Sequence, residues 1–211
     1  VGKDDVDFKK FYREMIGNAD NWWAVNGWGS KRSQYRRYTA AQEMLGINRG
    51  DCVVDIGCGS GDLSEFLWEK GVDTCYHGFD LMEEMITLAK DKHGDKFEVW
   101  DIFNKPVPMQ SDWAIAIGTV GALATRNEDE RWKNLDKMLM NLAATVDKGF
   151  VFTMLTDRNP HKDGIEDHHW FVDPAVAVGH VLEMIPPQMP VAIRMDYHPH
   201  EIMFSVKNEG F

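Results

Sequence analysis

Residues 53–63 read Val53-Val54-Asp55-Ile56-Gly57-Cys58-Gly59-Ser60-Gly61-Asp62-Leu63, and this stretch decides the fold. The run Cys52-Val53-Val54-Asp55-Ile56 is short and almost continuously apolar, as expected of a strand buried on both faces. Glycines follow, and then a helical pattern carries Leu63, Phe66 and Leu67. A glycine turn between a strand end and a helix start lets backbone approach a ligand without interference from Cβ. The plainer alternative is an ordinary βα turn.

Outward from this motif the chain alternates strands and helices. Strands are predicted over 74–79, 96–100, 112–118 and 149–155, and helices over 81–92 and 127–146. This rhythm predicts an α/β fold, a doubly wound, mostly parallel seven-stranded sheet with helices on both faces. Its last two strands, 191–197 and 201–207, flank His198-Pro199-His200 and read as an antiparallel hairpin, after a helix over 173–185 that Pro186-Pro187 stops. Before the motif, residues 7–16 place Phe8, Phe11, Tyr12, Met15 and Ile16 at helical spacing, and Gly17-Asn18 end the helix. Residues 21–29 are aromatic, glycine-rich and irregular. A second helix is expected from a Ser30 cap to Leu45. The division that follows is one domain over 1–211: an N-terminal helical cover over 1–48 and a cofactor-binding core over 49–211.

The 211 residues are 44% hydrophobic and 27% charged, which supports a globular core. Lys plus Arg total 23 against 34 Asp plus Glu, a net charge of −11 that argues against nucleic acid as a partner. No run approaches ~18 apolar residues, so no membrane span is expected. The acidic start VGKDDVDF lacks the apolar core of a signal peptide. Three cysteines, Cys52, Cys58 and Cys75, form no CxxC pair and no disulfide framework. The cytoplasm is the expected location.

The glycine spacing is GxGxG, and Asp62 stands where a dinucleotide fingerprint wants a third Gly or Ala. A carboxylate there repels a pyrophosphate and suits a phosphate-free, cationic cofactor. S-adenosylmethionine is one, with an ammonium group that Asp55 or Asp62 would welcome. Asp80 ends the second strand, where an adenosine ribose presents two hydroxyls; a helix N-cap is the plainer alternative, and the two roles are compatible. Leu81 and Met82 follow and offer an apolar face to adenine. Asp101-Ile102 ends the third strand, where Asp101 would accept from the adenine amino group and Ile102 cover a ring face; a capped loop acid is the alternative.

These residues resemble class I S-adenosylmethionine-dependent methyltransferases, through VVDIGCGSGDL, the acid in HGFDLMEEM, the acid in EVWDIF and the seven-strand order with a final hairpin, over about 50–207. More narrowly, the chain is similar to a group of small bacterial methyltransferase-like proteins of unestablished substrate. That likeness rests on Trp28-Gly29-Ser30 with Ser33-Gln34 and Arg37, on the glycine loop, and on Arg194-Met195-Asp196-Tyr197-His198-Pro199-His200-Glu201. Two places depart from the group, Gly118-Thr119-Val120-Gly121 and the two histidines of the last motif, and both border the expected substrate pocket. The cofactor set implied is Trp28, Arg37, Asp55, Gly57, Cys58, Gly59, Gly61, Asp80, Leu81, Met82, Asp101, Ile102, Gly118 and Thr119. In this fold a helix before the sheet covers the cofactor, so Arg37 would fork onto its carboxylate.

The expected reaction is methyl transfer from S-adenosyl-L-methionine to an O, N or S nucleophile of a small-molecule acceptor, leaving S-adenosyl-L-homocysteine. Aminopropyl transfer on the same scaffold, a regulatory S-adenosylmethionine-binding protein without turnover and a nicotinamide dehydrogenase are the alternatives; Asp62 speaks against the last. His168 and His169, in a long insertion after the fifth strand, are the candidate proton acceptors, preferred over His198. His168, His169, His198 and His200 lack a third ligand at metal spacing, so no metal is assigned. Lys31, Arg32 and Arg36 read as a solvated helix face. Trp22, Trp23, Trp28, Trp170 and Phe171 read either as an aromatic lid over a substrate or as packing of the cover. No GxSxG, P-loop lysine or HExxH is present.

Overall fold

The apolar run around Val53 and Val54 takes the middle of the sheet, since only there are both faces of a strand covered. In the computed structural model, which describes residues 8–18, 21–122, 127–159 and 169–208, β1 (Cys52–Ile56) pairs in parallel with β2 (Cys75–Asp80) on one side and β4 (Ser111–Ala116) on the other. The register sets Asp55 opposite Gly78 in β2 and Ile115 in β4. β3 (Phe97–Val99) adds to β2, and β5 (Val146–Thr156) adds to β4. β8 (Glu201–Lys207) then pairs antiparallel with both β5 and β7 (Val191–Arg194), giving the order β3-β2-β1-β4-β5-β8-β7. The final hairpin is thus as expected. An eighth strand, β6 (Phe171–Val172), pairs with the end of β5; two residues are too short for a period to declare itself in sequence.

Alternation along each strand sorts the core into two layers. Val54, Ala114, Phe150 and Phe152 face α6 (Glu128–Thr145) and α7 (Pro174–Met184). Val53, Ile115, Val151 and Met203 face α3 (Lys31–Leu45), α4 (Asp62–Glu69) and α5 (Glu83–His93). The helix signals hold in detail. Ser30 Oγ accepts from Ser33 N at 3.1 Å to start α3, and Gly46, at φ +73°, ends it. Asp173 caps α7, with Pro174 in its first turn. The aromatic stretch expected to be irregular contains a short helix, α2 (Trp22–Val25). α1 (Phe8–Asn18) ends at the Gly17-Asn18 expected to stop it, and packs Tyr12 and Ile16 on Val25, Met82 and Met85.

Strand order reverses between β1 and β4, so their connections leave on opposite faces and a crevice opens at their C-terminal ends. Gly78 lies beside that crevice. A Cβ there would stand 2.4 Å from Phe97 Cδ1 and 2.9 Å from Cys58 Sγ. Gly78→Ala is therefore expected to lower unfolding free energy by about 1–3 kcal/mol through overpacking. Urea unfolding checks this, and an unchanged midpoint would show that Phe97 has room to move.

Candidate active site

The glycine loop starts where β1 ends. Gly57 and Cys58 donate backbone N–H groups to Phe79 O, at 2.7 and 3.1 Å, which ties the loop to the end of β2. At Gly57, φ is +72° and a Cβ would meet Thr119 Oγ1 at 2.4 Å; at Gly59, φ is +52° and a Cβ would meet Asn26 Oδ1 at 2.2 Å. Glycine is required at both positions by conformation and by space. Thr119 in turn donates its hydroxyl to Ile56 O at 2.6 Å, and Gly118 donates its N–H to Thr153 Oγ1 at 2.9 Å. The ends of β1, β2, β4 and β5 are thereby stitched around one cavity of about 420 Å³.

Two acids line that cavity, Asp55 buried and Asp80 partly so. Asp80 accepts from Gly59 N at 3.0 Å and from Met82 N at 2.9 Å. It holds the loop and the turn rather than capping α5, whose N-cap position is Met82. Asp55 accepts the Tyr76 hydroxyl at 2.6 Å. Burial pushes Asp55 up to about 7; the Tyr76 hydroxyl opposes this, while Asp80 and Asp62 add to it. Burial also raises Asp80, against its backbone donors.

The far wall comes from α3, β5, β6 and β8. Arg37 and Glu201, 5% and 3% exposed, form a buried ion pair. Arg37 Nε donates to both Glu201 oxygens at 2.9 Å, Nη2 donates to Oε1, and Nη1 donates to Ser33 O and Oγ. The guanidinium lies over the Trp28 ring, 4.6 Å from its centroid. Tyr197 donates its hydroxyl to Glu201 Oε2 at 3.2 Å. His198 Nδ1 accepts from His200 N at 3.3 Å and stands 3.9 Å from Glu201 Oε1. Burial and the Arg37 charge hold the His198 imidazole below its ordinary value, so it is neutral near pH 7.

Known proteins share part of this sequence and its fold. Residues 53–143 match a methyltransferase domain. The methyltransferase-named protein Rv1506c of Mycobacterium tuberculosis is 26% identical over 130 residues, 61% of this chain and 78% of its own. The ubiquinone biosynthesis O-methyltransferase of Bordetella avium is 27% identical over 146 residues, 69% of this chain and 56% of its own length. Magnesium protoporphyrin IX methyltransferase of Synechocystis PCC 6803, crystallised with S-adenosylhomocysteine, superposes with a TM-score of 0.61 at 13% identity, over 96% of this chain and 95% of that one. The matched domain, the methyltransferase relatives and the cofactor-bound structural neighbours support a class I S-adenosylmethionine-dependent methyltransferase.

The methyltransferase brings most of the sequence-derived set together. Trp28, Arg37, Asp55, Gly57, Cys58 and Gly59 line the cavity, as do Asp80, Leu81, Met82, Ile102, Gly118 and Thr119. Two members do not. Gly61 is the N-cap position of α4 and packs beside Phe97 and His93. Asp101 accepts from Phe103 N and Asn104 Nδ2, closing its own turn two residues past the end of β3; local donors claim a short acid in a loop before a distant ligand does. The Arg37 fork expected for a cofactor carboxylate is turned to Glu201.

Asp62, expected near the cofactor's ammonium, faces the cover instead. It accepts from Asn26 Nδ2, Gln34 Nε2 and Lys92 Nζ, at 2.9, 2.8 and 2.8 Å. Burial alone would raise its pKa, but Lys92, Gln34 and Ser60 hold it below the usual carboxylate range. Asp62, Glu65 and His93 draw donor atoms together as a metal site would, yet the Lys92 ammonium lies 2.8 Å from Asp62 and 2.7 Å from Glu65. His169 lines the cavity, edge-on to Phe11 at 6.0 Å, and His198 lines it too, so the preference for one over the other rested on a distinction the fold does not make. His168 lies outside the described residues. Asn26, Glu201 and Tyr12 line the cavity unforeseen; Asn26 and Tyr12 sat in segments read as cover, and Glu201 was visible only as part of the C-terminal motif. Among the described residues no helix is long and apolar enough to cross a membrane.

Two predictions follow from the charges. Glu201→Ala leaves a buried guanidinium without its partner and is expected to cost about 3–5 kcal/mol in urea unfolding, whereas the double variant Arg37→Met/Glu201→Leu should regain much of it. Equal losses in both would show that packing, not charge, sets the cost. For Asp55, the native state holds a proton that the unfolded chain, near 3.8, has released. Its contribution is therefore largest below about pH 4 and is lost as pH rises to about 7. Asp55→Asn should gain stability relative to the parent across that window, by at most about 1.4 kcal/mol per pH unit; parallel stability curves would mean that Asp55 titrates as an ordinary acid.

Proposed function

We propose that this methyltransferase holds S-adenosylmethionine along the glycine loop and methylates an oxygen, nitrogen or sulfur of a small molecule seated against the β5–β6–β8 wall. The observation that carries this reading is the pair of acids lining the cavity, Asp55 and Asp80, set beside a backbone cradle that Cβ atoms at Gly57 and Gly59 would fill. A site with that donor set accepts hydroxyls and cationic groups and has room for no side chain of its own. The curated relatives include an O-methyltransferase, which favours a hydroxyl acceptor.

Bound there, S-adenosylmethionine supplies an already activated methyl group on a sulfonium. The chain's own task is then alignment and exclusion of water rather than activation, in keeping with a site without a catalytic triad. Asp80 takes the ribose hydroxyls, since each carboxylate oxygen has a lone pair beyond its backbone N–H. Met82, Leu81 and Ile102 cover the adenine. Asp55, in its ionised form, faces the positive end of the amino-acid moiety. Gly118 and Thr119 border the transferred methyl. Arg37 acts through Glu201 and Trp28, fixing the wall between the cofactor and the acceptor. A proton lost from the acceptor goes to His169 or His198, both on the cavity surface, with His168 a further candidate.

S-adenosylhomocysteine is expected to raise the melting temperature of the protein, because a ligand that binds only the folded state stabilises it, and NAD is not. Asp80→Ala removes hydrogen bonds to a charged group worth about 1.5–3 kcal/mol, so calorimetric affinity for S-adenosylmethionine should fall roughly 10- to 150-fold. Unchanged affinity would reduce Asp80 to a strut for the loop.

A further inference from the structure

We infer that the acceptor is a flat aromatic or heteroaromatic molecule that bears no negative charge. The inference rests on the methyl-transfer reading above and concerns the half of the cavity remote from the glycine loop. Three residues are register neighbours across that wall: Phe171 of β6 pairs with Leu155 of β5, and Leu155 pairs with Glu201 of β8. All three line the cavity. Paired residues on adjacent strands point to the same face, so the wall presents an aromatic ring, an aliphatic side chain and a carboxylate in a row. His169 continues it, 6.2 Å from Phe171 and edge-on to Phe11 of α1, and Trp28 stands at the Arg37 end. Rings contributed from α1, the segment before β6, and β6 itself leave a slot suited to a planar guest.

Charge decides the rest. Asp55, Asp80 and Glu201 line the cavity, and Arg37 is the one Lys or Arg among the described lining residues. Its guanidinium is committed to Glu201 and Ser33. His198 is neutral near pH 7. The helix start beside the glycine loop, that of α4, carries Asp62 in its first turn, which spends the dipole that would otherwise favour an anion. Two further groups on the cavity agree in sign: burial and then the Asp80 charge push Tyr12 up to about 12, and burial followed by Asp80 and Asp55 raises Cys58. A carboxylated or phosphorylated acceptor would meet Asp55, Asp80 and an ion pair whose charges cancel, with no uncommitted Lys or Arg among the described lining residues, at a like-charge cost. A neutral ring meets apolar walls, and a cationic one gains the aromatic faces as well.

The test uses three phenols of one shape that differ in charge: 4-ethylphenol, tyramine and 4-hydroxyphenylacetate. S-adenosylhomocysteine is first titrated calorimetrically into the full chain; failure to bind would overturn the methyl-transfer reading itself. The saturated complex is then titrated with each phenol and with 4-ethylcyclohexanol. The expected result is binding of 4-ethylphenol and tyramine, with 4-hydroxyphenylacetate weaker by roughly tenfold or more, and loss of the phenol signal in Phe171→Ala. Equal or tighter binding of the anion, tighter binding of the cyclohexanol, or no phenol binding up to the solubility limit would each overturn the inference. Glu201→Gln frees the Arg37 charge and should narrow the gap between neutral and anionic phenol. An unchanged gap in that variant would remove the ion pair as its cause.

Discussion

The backbone of the glycine loop passes closer to its neighbours than any β-carbon allows, and the rest of the site is arranged around that approach. Thr119 reaches over Gly57 to the last carbonyl of β1, and Asn26 reaches over Gly59 to Ser60 and Asp62. A side chain at either glycine would push the β4 loop or the helical cover away from the sheet. The loop therefore does two things at once. It leaves bare backbone facing the cavity, and it is the point at which the cover is attached to the core.

That attachment runs through charge. Asp62 gathers Asn26 from the end of α2, Gln34 from α3 and Lys92 from α5 into one buried network. Asn26 also donates to Ser60 Oγ, Gln34 to the Tyr38 hydroxyl, and Lys92 pairs with Glu65 as well, so the cluster is well satisfied where a half-satisfied one would be costly. A second charged joint, Arg37 with Glu201, locks α3 to the start of β8. Between them these two joints hold the N-terminal helices over the crevice at the β1–β4 reversal, so the cavity has a roof as well as a floor. The apolar contacts of Tyr12 and Ile16 with Met82 and Met85 close the side of it next to β2.

The same charges give the cavity its character. Asp55 accepts from a hydroxyl and Asp80 from backbone N–H groups, and among the described residues no side-chain cation is bonded to either, which is why the proposed reading gives them to a cofactor bearing a sulfonium and an ammonium group. The one nearby guanidinium is consumed by Glu201. On the proposed reading, cofactor affinity and acceptor selectivity share one electrostatic arrangement, and a change made for either would be felt by the other.

The sequence by itself determined the strand–helix order, the parallel core, the final hairpin and the cofactor loop, because these rest on local periodicity, glycine placement and end caps that neighbours in the chain supply: Ser30 over Ser33, Asp173 over Pro174, the GxGxG turn between β1 and α4. It also marked Asp55, Asp80, Met82 and Ile102, whose place at strand ends follows from topology alone. What it could not decide was the partner of each polar side chain. Asp62 turned to Lys92 and the cover, Asp101 closed its own turn, and Arg37 met Glu201 from 164 positions away. An acid or a guanidinium takes whichever donor or acceptor is nearest in space, and that distance is set only when β8 lies down against β5 and the helical cover folds back over the sheet.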